Sequence, residues 1–126
     1  MKEALRYWQN AKEILRKAPT EDGRYADAKY VQEACGTAYL AVLKAIDEYL
    51  LNKVGVIHEL PLPRSVDAYR KVLEKYLNIH NGKLLREFEG IYDELHIAGY
   101  YRGMLHSFEV VKAALNTAKG FIEKIK

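Results

Sequence analysis

The stretch AKYVQEACGTAYLAVLKAIDEYLL, residues 28–51, decides the fold. Val31, Ala34, Cys35, Ala38, Leu40, Ala41, Val42, Leu43, Ala45, Ile46, Tyr49 and Leu50 leave only a thin polar stripe at Lys29, Glu33, Lys44, Asp47 and Glu48. A helix that is apolar around nearly its whole circumference must be surrounded by others. Ala34, Ala38, Ala41 and Ala45 recur at steps of four, three and four, so they share one side and let a neighbouring backbone come close. The pattern extends this helix from about Arg24 to Asn52.

The flanking sequence supplies the surround. Upstream, Leu5, Trp8, Ala11 or Lys12, and Leu15 repeat at helical spacing within residues 2–18, and Pro19 ends that helix. Thr20 to Gly23 has the composition of a turn. Downstream, Lys53 to Arg64 is a connector in which Gly55 can cap the long helix and Pro61 and Pro63 bar a new one. Its Val54, Val56, Ile57, Leu60 and Leu62 are expected to lie on the bundle. Ser65 offers an N-cap to a helix through Asn78, with Val66, Tyr69, Val72, Leu73, Tyr76 and Leu77 on one face. Asn81-Gly82 marks a turn, and a fourth helix runs from Lys83 to about Ala98. Gly99 to Gly103 reads equally as a turn or as a kink in a longer helix. The last helix spans about Met104 to Ile125. The expectation is an all-α, up-and-down four- to five-helix bundle around a central apolar helix, without strands, forming one domain over residues 1–126.

Composition narrows the functional classes. The 126 residues carry 20 Lys and Arg against 17 Asp and Glu, and the excess is dispersed. Residues 1–24 hold six basic and four acidic side chains, residues 25–82 seven of each, and residues 83–126 seven and six. No segment forms a basic arm, which argues against nucleic-acid binding through phosphate contacts. Cys35 is the only cysteine, excluding an internal disulfide and a thiolate-rich metal site. Its apolar neighbours mark it as a small buried hydrophobe. No signal peptide is read at the N-terminus, and the longest nearly apolar run, Ala34 to Leu43, is about half of the roughly 20 residues a membrane span needs. A cytoplasmic protein is expected.

The groups that can carry chemistry are few. His58 and His80 fall in the connector and in a turn and read as solvent-facing. Asp93 and His96 have the three-residue step of half a di-iron motif, but the motif needs two copies on different helices, so neither a metal nor a cofactor is expected. His96 and His106 flank Tyr100, Tyr101 and Arg102; with a kink there, Tyr92, His96, Tyr100 and His106 can converge at one end of the bundle, the first three lining a pocket. Imidazole moves protons near neutral pH and guanidinium holds phosphate, which gives this region its interest. The ten tyrosines, several at the borders of apolar faces, suit a polar groove or a subunit interface.

Three stretches resemble the HEPN family of small helical bundles, which includes RNA-cleaving toxins, partners of minimal nucleotidyltransferases and proteins without an assigned activity. Tyr30 to Leu51, with Ala-Tyr-Leu-Ala-Val-Leu-Lys-Ala-Ile from Ala38, is similar to the family's second helix, and Ser65 to Leu77 to its third. Leu95-His96-Ile97-Ala98-Gly99-Tyr100, followed by Glu109 to Ile125, is similar to its motif region and final helix. The resemblance implies a helical bundle and dimerisation through helices near the motif. For a ribonuclease it would place Arg102 on the scissile phosphate and His106 in proton transfer. Active members separate arginine and histidine by four to six positions and follow the arginine with a polar residue. Here three positions intervene and Gly103 follows. The leading expectation is therefore a non-enzymatic bundle acting through protein contact, as a homo-oligomer or with a small protein partner. A HEPN-type ribonuclease, or a nucleotide- or small-molecule-binding bundle, is the alternative.

Overall fold

In a computed structural model, which describes residues 1–54, 62–78 and 82–126, the chain is an all-α bundle. Helix α1 (Lys2–Arg16) is followed by a short antiparallel hairpin of β1 (Thr20–Glu21) and β2 (Arg24–Tyr25) and by the long helix α2 (Ala28–Tyr49). A π-helical turn, π1 (Leu50–Val54), closes α2. Then come α3 (Val66–Tyr76), α4 (Lys83–Ile91), a π-helical continuation of α4, π2 (Tyr92–Tyr101), and α5 (Phe108–Ile125).

The buried side chains form one cluster, with α2 packed against α1, α5 and π2. Val31, Ala34, Cys35, Ala38, Ala41, Val42, Ala45 and Ile46 are essentially inaccessible. Their small volumes let the neighbouring helices close in. Phe88 of α4 meets Phe121 of α5 and Tyr39 of α2, each with ring centroids 6.4 Å apart. Burying a side chain of that size contributes about 1.5–3 kcal/mol.

Helix starts follow local chemistry. Asp27, in an extended conformation, accepts a hydrogen bond from the Lys29 amide at 3.0 Å and caps α2. Ser65 caps α3 by accepting from the Ala68 amide at 3.1 Å, as its position predicts.

Four expectations need correction. Two short strands stand where none was expected, because Asp22 (φ 51°) and Gly23 (φ 74°) both take the left-handed conformation that a tight hairpin turn requires. The central helix is enclosed on three sides only. Leu40 follows Glu33 and Gly36 and precedes Lys44 on the same face, and it is 47% exposed. Gly99 is buried inside π2, whereas Gly103 (φ 60°) ends that helix, so α5 begins at Phe108 and not near Met104. Leu62 of the connector is 40% exposed and does not pack on the bundle as expected. Gly55, Val56, Ile57, His58, Leu60, His80 and Asn81 lie outside the described residues.

Candidate functional site

The open flank of α2 and the π2 segment form a groove. In π2 the backbone hydrogen bonds run to the fifth residue instead of the fourth, and this wider turn brings positions four apart closer to alignment than an α-helix does. Tyr92, His96 and Tyr100 stand at that spacing. The His96 ring lies 5.3 Å from Tyr92 and 5.8 Å from Tyr100, nearly parallel to the latter at 15°. Tyr39 of α2 stacks on His96 from the facing helix at 4.8 Å. The three expected pocket residues are thus brought into one ladder.

Glycines set its depth. A Cβ on Gly36 would lie 2.8 Å from the Tyr100 ring, so the missing side chain is what seats that ring against α2. A Cβ on Gly99 would lie 2.6 Å from Cys35 Sγ. Gln32 Nε2 donates to the Tyr100 carbonyl at 3.0 Å, which ties the end of π2 to α2. The resulting groove, of about 680 Å³, has Gly36 and Leu40 in its floor, His96 and Tyr100 along one wall, and Ile14 of α1 opposite.

Burial and the neighbouring Tyr92 push the Tyr39 hydroxyl up to about 12, which keeps it protonated. Tyr92 carries the Arg70 guanidinium 5.4 Å from its ring centre, but Arg70 is held by Glu89 at 2.5 and 3.2 Å and by Asp67 at 2.6 Å. Glu33 is the one acidic residue lining the groove. Burial pushes the Cys35 thiol up to about 12, so this cysteine is a packing residue against Gly99 and no nucleophile. Among the described residues no group of three or more His, Cys, Asp and Glu side chains can hold a metal ion.

Arg102 and His106 are placed elsewhere. Arg102 is exposed at the end of π2, where its amide donates to the Ile97 carbonyl at 2.9 Å. His106 is drawn to the hairpin: its carbonyl accepts from the Tyr25 amide at 2.9 Å, and the next residue, Ser107, bridges to Arg24. Neither lines the groove that holds His96 and Tyr100.

A second concavity escaped the sequence reading. It lies between α1, the hairpin and α5, and its signal is two matching stripes, Trp8, Lys12 and Arg16 on α1 and Phe108, Lys112 and Asn116 on α5, each at four-residue steps.

A family profile described as a domain of unknown function, DUF5618, matches residues 1–126. The chain belongs to DUF5618. A solved structure of a protein of unknown function from Dyadobacter fermentans is 37% identical, covers 98% of this chain and 90% of its own, and superposes with a TM-score of 0.78. No curated protein matches. Among the described residues of this chain, no helix is long and apolar enough to cross a membrane.

Proposed function

We propose that this DUF5618 chain works through protein contact and self-associates across the open flank of α2 and the end of π2. The supporting observation is where the exposed large hydrophobic side chains gather. Among the described residues the exposed large hydrophobic side chains are Leu40 (47%), Tyr100 (48%) and Tyr101 (71%), which line this flank, together with Met104 (62%), Leu62 and Val110. Leu40 and Tyr100 share the groove, and Tyr100 and Tyr101 share the adjoining depression with Lys29 and Glu33. Contiguous apolar surface rimmed by polar groups is the usual mark of an interaction site. A second copy is the occupant that fits best, because the rim carries both signs of charge in Lys29 and Glu33 and is able to complement itself across a two-fold axis. The HEPN resemblance points the same way, since it implies dimerisation near the same part of the chain. A ribonuclease reading has no comparable support, as Arg102 and His106 are outside the groove.

Sedimentation velocity at tens of micromolar protein tests the proposal. The wild-type chain is expected to sediment as a dimer, and Leu40→Glu as a monomer with an unchanged far-ultraviolet dichroism spectrum. A wild-type monomer across that range, or a dimer indifferent to Leu40→Glu and to Tyr100→Ser, would overturn it.

A further inference from the structure

We propose that the cleft between α1, the β1–β2 hairpin and α5 binds a small organic anion with an aromatic body. The cleft measures about 660 Å³, within the range of small-molecule sites. Its apolar walls are aromatic: Trp8, Tyr25 and Phe108, the last two with ring centroids 4.8 Å apart. The indole is fixed in place, since Trp8 Nε1 donates to the Leu115 carbonyl at 2.7 Å.

The charge around this cleft is one-sided. Lys12, Arg16 and Lys112 line it, and no acidic residue does. None of the three forms an ion pair among the described residues. Lys12 and Lys119 place their ammonium groups 5.1 and 4.9 Å from the Trp8 ring centre, which adds a fourth cation beside the same wall. The ion pairs among the described residues lie away from it, at the N-terminus, Arg6, Arg70, Lys124 and Lys126. Cations gathered around one concavity repel one another, and an anion in their midst relieves that repulsion. Tyr25 adds a polar contact. It is 9% exposed, and its hydroxyl has no hydrogen-bond partner among the described residues, which leaves it able to donate to a ligand. Inorganic phosphate or a carboxylate alone would satisfy the charge and leave the aromatic walls uncovered. An aromatic phosphate or carboxylate uses both.

The chain has a single tryptophan, and it lies in this cleft, so its fluorescence reports occupancy directly. The probes are adenosine 5′-monophosphate, adenosine, inorganic phosphate and phenylacetate. A saturable change in Trp8 emission is expected with the monophosphate, with phenylacetate, or with both, and which of them binds tells a phosphate head from a carboxylate one. Adenosine and inorganic phosphate should each bind at least about tenfold more weakly than the anion that binds, because each lacks one half of the recognition. Lys12→Met combined with Lys112→Met should weaken binding at least about tenfold without lowering the melting temperature, and Arg16→Met should act in the same direction. Leu40→Glu, on the other face, should bind as the wild type does. No saturable change with either anion at low millimolar concentration, adenosine binding as tightly as its monophosphate, or affinity unchanged in the lysine variants would each overturn the proposal.

Discussion

Cys35 and Gly99 occupy one another's space. A methyl group at position 99 would sit 2.6 Å from Cys35 Sγ and 2.7 Å from its Cβ, with the Glu94 carbonyl at 3.2 Å, and both residues are buried. Alanine in a helix ordinarily gains up to about 1 kcal/mol over glycine. Overpacking a closed site costs about 1–3 kcal/mol and should prevail. Gly99→Ala is therefore expected to lower stability by about 1–2 kcal/mol in urea unfolding, with partial recovery when Cys35→Ala removes the sulfur. Unchanged stability would mean that α2 and π2 separate more easily than their packing indicates. The contact at Gly36 is softer, because the half-exposed Tyr100 ring can swing aside. The same burial of Cys35 has a consequence in alkali. Its thiol titrates from about 12 in the fold against an ordinary value of 9.0, so above pH 9 the unfolded chain releases a proton that the folded one retains. The contribution to stability is whole below pH 9 and lost as pH rises toward 12. Tyr39, pushed up to about 12 from 10.0, adds to the loss from pH 10. Denaturation midpoints measured across that window should fall, and Cys35→Ala should flatten the first part of the decline.

Elements were legible in the sequence wherever local chemistry defines them. Ser65 announced α3, and the alanine steps announced the buried side of α2, because capping and close approach depend on residues near in sequence. Asp27 carried the same kind of signal but was passed over, because the helix was expected to start near Arg24 and not at Ala28. Replacing Asp27 with alanine leaves the start of α2 without its side-chain acceptor, at a cost of about 1 kcal/mol in urea unfolding with an unchanged slope. An effect below a few tenths would show that water serves the cap as well. The hairpin carried a readable signal in Asp22-Gly23, passed over because two-residue strands leave no alternation to see. The π-helical form of residues 92–101 carried none, since residue spacing does not distinguish it from an α-helix. The exposure of Leu40 was hidden for a similar reason. An apolar circumference shows that a helix can be surrounded, while the number of neighbours that reach it is a property of the assembled bundle. Of the candidate site, the nearness of Tyr92, His96 and Tyr100 to one another was readable from their spacing, whereas the placing of Tyr39, and not Tyr92, in the groove was not. The removal of His106 was not, because the hairpin that holds its carbonyl was itself unseen. Trp8 and Phe108 each read as part of the apolar face of its own helix, and only the juxtaposition of the two helices makes a cleft.

On the scale of the molecule, the chain reverses twice at places that are bonded to each other. The Tyr25 amide donates to the His106 carbonyl at 2.9 Å and the Phe108 amide to the Gly23 carbonyl at 3.1 Å, so the link between α1 and α2 and the link between π2 and α5 are sewn together. Trp8 adds a bond from α1 to α5 across 107 positions of sequence. Neither link can swing out while the other stays in place, and backbone that opens cooperatively becomes available as a unit. A protease offered the native chain should find Arg24 and Arg102 guarded by the same event: both peptides should be clipped with one common rate constant, and loosening the first link by Gly23→Val, which forces a branched residue into a left-handed turn, should quicken scission at the second, some eighty residues away.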